Sequence, residues 1–374
     1  MSGIYLHIPF CKKACHYCDF HFSTSLKNKE PLLKALVQEI ILRADEFKNK
    51  TVKTIYFGGG TPSILDVDEI KNIIKTIRQY YKVIEIPEIT LEANPDDLTD
   101  DKIKELAQTE INRLSIGVQS FGDKELQMMN RAHSSEEVKQ CLHTATQYFN
   151  NITIDLMYGI PGLSNEEWKQ NIQQALKFGI SHISSYALTV EEGTALADFI
   201  KKGTYPVINE SLAAQHFDIL VNTLTQAGFD HYEISNFGKP NFYSKHNTSY
   251  WLGKWYLGFG PSAHSFNGNI RSWNVANNAK YIKSLLENSL PSGQEILTVK
   301  DQYNEYIMTG LRTIWGVSLE KVSQDFGIKT SIFLEKQIQP FLENGTLMLK
   351  QNQLKTTQKG KFLADGIASE LFWV

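Results

Sequence analysis

Short β-branched or aromatic runs alternate six times with amphipathic helical stretches, and no other feature restricts the possible folds of this chain as strongly. The first run is IYLHIPF at 4–10, followed by LLKALVQEIILRADEF. KTIYFGG with EIKNIIKTIRQYY, EITLEAN with DKIKELAQ, RLSIGVQS with EEVKQCLHTATQYF, and NITIDLMYGIPG with EEWKQNIQQALKF come next. HISSYALT and, after an excursion, LAAQHFDILVNTLTQAG close the series. Two helices open with capping-box spacing, Ser134 to Glu137 and Ser164 to Glu167. Six β-α units call for a parallel sheet with right-handed crossovers, either an open doubly wound sheet or a TIM-type barrel two units short. The polar residues favour the α/β barrel. The cysteines after strand one, GGGTP after strand two, Glu92 and Asn94, Gln119, Asp155, and Tyr186 with Ala187 would all converge on its C-terminal rim.

The repeat stops near residue 230, so residues 1–235 are expected to form a partial (β/α)6 core. Residues 236–295 contain HNTSYWLGKWYLGFGPSAHSF, dense in aromatics, His and Gly, and are expected to form a connecting segment over the barrel mouth. Residues 296–374 read as helix, helix and hairpin, an α+β winged-helix-like domain. Such a module can bind DNA, but residues 318–374 carry seven Lys, six acidic residues and no Arg, a net +1. The whole chain carries a formal charge of -3. No nucleic-acid partner is expected, and a packing or lid role is favoured. No apolar run reaches membrane-spanning length and the N-terminus lacks signal-peptide character, so the expectation is a cytoplasmic protein without membrane insertion.

Three of the four cysteines, Cys11, Cys15 and Cys18, lie within CKKACHYC. Crowded thiols in a chain with too few cysteines for a disulfide framework read as a metal or redox site. C-x3-C-x2-C supplies three soft ligands, enough for three irons of a four-iron cube, with the fourth iron left open. The competing reading is zinc, with His7, His16 or His21 completing a three-Cys, one-His tetrahedron.

YLHIPFCKKACHYCDF followed by YFGGGTPS resembles the radical S-adenosylmethionine (radical SAM) superfamily, in particular its branch of oxygen-independent coproporphyrinogen III oxidases and the related HemW heme chaperones. The resemblance implies a radical SAM barrel carrying a [4Fe-4S] cluster on Cys11, Cys15 and Cys18. It further implies S-adenosylmethionine on the open iron, cleaved after electron transfer to a 5'-deoxyadenosyl radical. Tyr5, Gly59, Gly60, Thr61 and Glu92 correspond to the first S-adenosylmethionine site. Tyr17, Gly60, Thr61, Gln119, Arg131, Asp155 and Ala187 correspond to a second one found in the oxidases. Glycines in GGGTP would let backbone approach the methionine portion closely.

Two departures separate the chain from the oxidase pattern. Phe20 stands where the oxidases carry a further Cys two positions after the third ligand, and the chain starts only a few residues before the motif, so their N-terminal extension is expected to be missing. HNTSYW at 246–251 and GFGPSAHS at 258–265 resemble the chaperone branch instead. On that reading heme is a further cofactor or cargo, with His246 and His264 as axial ligands. Tyr250, Trp251, Trp255 and Tyr256 would form a stacking surface, and Arg271 would pair with a propionate. The implied partners are heme or a porphyrin, a heme-requiring recipient that could be membrane-bound, and a reduced electron donor. The alternatives are an oxidase that decarboxylates coproporphyrinogen III and, from another class, a zinc-stabilised winged-helix binding protein. Cys141 reads as a small buried hydrophobe. His133 and His143 read as helix-surface or capping groups.

Overall fold

A computed structural model describes residues 2–374. Six parallel strands form in the expected order: β1 (Ser2–Ile8), β2 (Val52–Gly59), β3 (Val83–Ala93), β4 (Arg113–Gln119), β5 (Ile152–Tyr158) and β6 (His182–Ala187). The crossovers carry α1 (Lys29–Leu42), α2 (Val67–Tyr80), α3 (Asp100–Leu106), α4 (Asp123–Met128) with α5 (Ser135–Tyr148), and α6 (Asn165–Lys177). Both expected capping boxes are present, and two more start α2 at Asp66 and Glu69 and a later helix at Thr298 and Asp301. Each box satisfies amides that the first helical turn cannot.

Strand alternation explains why the interior is polar. Ile4, Leu6 and Ile8, then Ile55 and Phe57, Ile89 and Leu91, and Leu114, Ile116 and Val118 are buried in the main hydrophobic core. The intervening positions carry Tyr5 and His7, Tyr56, Thr90 and Glu92, Arg113 and Ser115, and Thr153 and Asp155. Period-two patterning thus sends aliphatics to the helix layer and polar groups to the other face.

After β6 come α7 (Ala195–Lys201), α8 (Glu210–Gln226), and the short strands β7 (Asp230–Glu233) and β8 (Asn236–Gly238); β8 pairs antiparallel with β6, and β7 pairs antiparallel with β8 at the sheet edge. The chain then forms α9 (Lys245–Trp251), β9 (Trp255–Phe259), β10 (His264–Phe266), β11 (Ile270–Asn274), α10 (Asn278–Leu286) and β12 (Ser292–Ile296). Here the expectation of a connecting segment over the mouth needs correction. β9 pairs in parallel with β1, and β10, β11 and β12 continue antiparallel, giving one sheet of 12 strands. α9 lies at the opposite end of the strands from the cysteine loop. Its His246 ring touches Gly3 and Thr54, and Glu88 accepts the amides of Lys245 and His246.

The remaining elements are α11 (Val299–Leu311), β13 (Val317–Ser318), α12 (Leu319–Phe326), α13 (Ile328–Gln337), α14 (Gln339–Glu343), β14 (Leu347–Lys350), β15 (Gln353–Thr356), α15 (Gln358–Lys361) and α16 (Ala364–Glu370). They enclose a second core around Tyr303, Ile307, Leu334 and Leu354, with a small antiparallel sheet as the wing. Pro340 splits the second expected helix into α13 and α14, because proline has no amide to continue the ladder. This region joins β7 by backbone bonds from Ile234 N to Arg312 O (3.0 Å) and from Ile314 N to Tyr232 O (3.0 Å).

Candidate functional site: a cysteine loop at the sheet rim

The loop after β1 is tied down on both flanks. Cys11 N donates to Ser23 O at 3.1 Å and His16 N to Met129 O at 3.1 Å. His16 Nδ1 is hydrogen-bonded to the Met128 carbonyl at 2.8 Å, and Lys12 pairs with Asp96 at 3.0 Å and with Asp97. Two donors point at the cysteines. Thr61 Oγ1 lies 3.3 Å from Cys11 Sγ, and Arg131 Nη1 lies 3.2 Å from Cys15 Sγ. Burial pushes the Cys11 thiol up to about 11 and raises Cys18 as well, with the Thr61 hydroxyl opposing it at Cys11. Soft sulfurs with donors aimed at them suit a metal-bound thiolate.

Each of the three imidazoles considered for a zinc site has at least one ring nitrogen engaged away from the cysteines, and His7 has both. His7 has Tyr5 OH at 3.1 Å on Nδ1 and the His21 carbonyl at 3.0 Å on Nε2. The Met128 carbonyl holds His16 Nδ1, and Asn278 holds His21 Nε2 at 2.8 Å. Three thiols from one loop match the ligation of a four-iron cube with one open iron, whereas a zinc tetrahedron would have to draw its fourth ligand from His16 Nε2 or His21 Nδ1, the loop-side ring nitrogens without a hydrogen bond among the described residues.

GGGTP packs on this loop through its missing side chains. Gly59 has φ +107°, and a Cβ there would meet His7 Nδ1 at 2.6 Å; one on Gly60 would meet the Phe10 carbonyl at 2.7 Å. Thr61 N donates to that carbonyl at 2.7 Å. Gly59 N also donates to Glu92 Oε2 at 3.2 Å, while Tyr56 OH donates to Glu92 Oε1 at 2.7 Å. Burial pushes the Glu92 carboxyl up to about 7, reinforced by Asp155 and opposed by Tyr56, Gly59 and Arg113. Tyr5, Gly59, Gly60, Thr61 and Glu92 thus form one contiguous group, and Tyr5 and Glu92 both line a cavity of about 400 Å³.

The second expected group is assembled around Arg131. Its Nη1 reaches Tyr17 OH at 3.4 Å, and Nη2 reaches Asn94 Oδ1 at 2.6 Å and Gly117 O at 2.9 Å. Gln119, buried with φ +67°, lies against the same Gly117. Asp155 is pushed up to about 6 by burial, with Arg113, Arg131 and Ser184 pulling it down. Ala187 ends β6 beside Tyr158.

The heme residues do not converge as expected. His246 is buried, and both ring nitrogens are bonded, to Thr54 Oγ1 at 2.8 Å and Tyr250 OH at 2.7 Å. His264 is exposed and has no side-chain hydrogen bond among the described residues. His246 packs over β1 and β2, whereas His264 sits on β10, two strands beyond β1 and about 10 Å from it by strand spacing. With both of its ring nitrogens engaged, His246 offers no free ligand to an iron alongside His264 in this arrangement. Trp255 is also displaced from the expected surface, since Lys50 Nζ covers its ring at 3.7 Å.

Tyr250, Trp251, Tyr256 and Arg271 do come together. With Phe266, Tyr306 and Trp315 they line a cleft of about 930 Å³ between the β9–β11 extension and the C-terminal region. Arg271 is not free there, because Glu295 (3.2 Å) and Glu305 both hold it. Cys141 is buried as expected and His143 is exposed, but His133 is buried with Nε2 3.2 Å from Val118 O, which corrects its surface assignment.

Sequence reading missed Tyr56, Arg113 and Arg312 as site groups. Arg113 is buried in the sheet interior against Thr90 (3.5 Å) and Thr153, and its signal was a charge opening an otherwise apolar run. Arg312 comes from the end of α11, over 200 residues from the motifs, and lines the same cavity as Glu92. No local pattern marks it.

Comparison with known proteins follows this geometry. The radical SAM superfamily profile matches residues 5–175 and the HemN C-terminal domain profile matches residues 297–363. Heme chaperone HemW of Bacillus subtilis is 33% identical over 371 residues, covering 98% of this chain and 98% of that protein. Heme chaperone HemW of Lactococcus lactis is 33% identical, again with 98% of each covered. Among solved structures, the radical SAM coproporphyrinogen III oxidase HemN of Escherichia coli superposes with a TM-score of 0.86 at 23% identity, covering 99% of this chain and 90% of that one. The last likeness concerns the fold.

Proposed function

This chain belongs to the radical SAM superfamily and, within it, to the HemW family of heme chaperones, and on that premise we propose that it binds heme and delivers it to heme-requiring proteins. Cys11, Cys15 and Cys18 would hold a [4Fe-4S] cluster, and Tyr5, Gly59, Gly60, Thr61 and Glu92 would hold S-adenosylmethionine. Such a cluster supplies an open iron that chelates S-adenosylmethionine and an electron that can cleave it. The chain's own part is to fix the thiols, present Glu92 to an ammonium or ribose hydroxyl, and close the loop with Lys12 and Arg131.

The observation that carries the chaperone reading is the end-to-end likeness to heme chaperones, matched by the aromatic cleft. About 930 Å³ walled by Tyr250, Trp251, Tyr256, Phe266 and Trp315 suits a flat apolar ring. His264 does not itself line the cleft, but it is the imidazole assigned to heme iron on this reading. It lies two residues from Phe266 on the same face of β10, with both ring nitrogens free among the described residues. His246 could serve only where the Tyr250 hydroxyl moves off Nε2.

The shared fold with the oxidase keeps decarboxylation of coproporphyrinogen III as a second reading. Phe20, 69% exposed, stands against it, because the oxidase resemblance calls for a thiol at that place. Cluster-loaded protein incubated with coproporphyrinogen III, S-adenosylmethionine and a reductant should yield no protoporphyrinogen IX. The same sample should bind heme stoichiometrically, with weaker binding in Trp251→Ala. Multiple turnovers to protoporphyrinogen IX would replace the chaperone reading by the oxidase one.

A further inference from the structure

Of the described residues, Arg131 alone places a full positive charge within hydrogen-bonding distance of a cysteine sulfur, with Nη1 3.2 Å from Cys15 Sγ. The contact is built from both sides. Nη2 is held by Asn94 Oδ1 at 2.6 Å and Gly117 O at 2.9 Å, and Nη1 also reaches Tyr17 OH at 3.4 Å. Position 117 must stay free of a side chain, since a Cβ there would come within 3.0 Å of Nη2.

The backbone that carries Arg131 is itself fastened to the cysteine loop. Asn130, in the left-handed region at φ +57°, sends Nδ2 to the Ala14 carbonyl at 2.7 Å. The carbonyls of Met128 and Met129 take the ring and the amide of His16. Three ties thus fall on Ala14 and His16, the residues flanking Cys15. The guanidinium is delivered to that sulfur by a turn pre-set for it.

We infer that Arg131 tunes the cluster, donating a charge-assisted hydrogen bond to the Cys15 thiolate, and that the Met128–Arg131 turn positions it. Resemblance to the oxidases would instead make Arg131 a ligand of a second S-adenosylmethionine. Both of its terminal nitrogens are occupied, and Nε is the one nitrogen left without a partner. A fork with one spare N–H cannot grip a carboxylate in the bidentate manner. A donor on a cluster sulfur has a different effect. Reduction adds one negative charge, a nearby cation and N–H stabilise that charge, and the reduction potential rises.

The inference rests on the cluster reading above, and the two can fail separately. Wild-type protein that takes up no iron after anaerobic reconstitution would end the cluster reading. With four irons bound, an EPR-monitored redox titration with dithionite tests Arg131 directly. Arg131→Gln is expected to have a more negative midpoint potential than wild type. Arg131→Lys should lie between the two, because an ammonium keeps the charge but cannot span Asn94 and Cys15 together. Asn130→Ala should shift the potential in the same direction as Arg131→Gln, by less. An unchanged potential in fully loaded Arg131→Gln would overturn the inference. If that variant does not hold four irons, Arg131→Lys carries the test: a potential below wild type supports the assignment and a wild-type potential overturns it.

Discussion

Arg312, at the end of α11, reaches across to Glu233 at the end of β7 with an Nη2–Oε1 distance of 3.3 Å, and Glu233 is almost completely buried. The same guanidinium pairs with Asp365 at 2.6 Å and lies 5.3 Å over the Trp251 ring. One side chain therefore links the second core, the sheet and the wall of the aromatic cleft. Arg312→Ala leaves a buried carboxylate without its cation, and the expected loss is about 3 kcal/mol in urea unfolding. Adding Glu233→Gln should recover part of it, because a neutral amide no longer needs the charge. Equal stability of Arg312→Ala and wild type would show the latch to be inert.

Glu92 gives the protein a pH dependence of definite sign. Its folded-state value is raised from 4.5 to about 7, so the folded chain holds this proton more tightly than the unfolded one. The stability contribution is greatest below 4.5 and falls as pH rises through the window to about 7, by about 3 kcal/mol in total. Asp155, raised to about 6, adds to the same trend. Cluster-free Glu92→Gln protein should therefore gain stability over wild type at pH 8 and little at pH 4.5. S-adenosylmethionine affinity of the loaded wild type should increase from pH 6 to pH 8, as the carboxylate that accepts the ammonium ionises.

Glycine 59 combines a left-handed backbone with a blocked Cβ position, 2.6 Å from His7. Gly59→Ala is expected to lose more than Gly193→Ala, where φ is +81° but nothing lies within 4 Å of the added carbon. The backbone term alone is about 1–2 kcal/mol. The excess at position 59 should appear together with weaker S-adenosylmethionine binding, measured by calorimetry on loaded protein. Equal losses at the two positions would mean that His7 yields freely.

Heme titration of the two histidine variants separates the roles assigned to them. His264→Ala should weaken heme binding and shift the Soret band while leaving the melting temperature near wild type. His246→Ala should lower the melting temperature, since it strips partners from Thr54 and Tyr250 inside the fold, and should leave the heme spectrum in place. The reverse pattern would make His246 the ligand and require Tyr250 to swing away on binding.

Much of this arrangement was legible before any coordinates, and the parts that were not share a cause. The six β-α units are long, strongly periodic and locally capped, as at Ser134 and Ser164, so nearest-neighbour patterning reveals them. The cysteine loop is legible because its ligands lie within eight positions. β9, by contrast, is the five-residue WYLGF, has no clean alternation, and pairs with β1 some 250 residues earlier. Its partner cannot be inferred from local pattern. Likewise His246 and His264 are close in sequence yet separated by two strands of sheet, because α9 turns away from the rim before β9 returns beside β1. Arg312 is recognisable as a site group only once the C-terminal region is docked.

The most direct test of the central claim is transfer. Heme-loaded protein is mixed with a heme-free acceptor hemoprotein, and acceptor reconstitution is followed by difference absorbance against free heme at the same concentration. The account predicts stoichiometric transfer from the wild type and slower loading or delivery by Trp251→Ala, without porphyrin products. No transfer from stoichiometrically loaded wild type, together with conversion of coproporphyrinogen III, would contradict it.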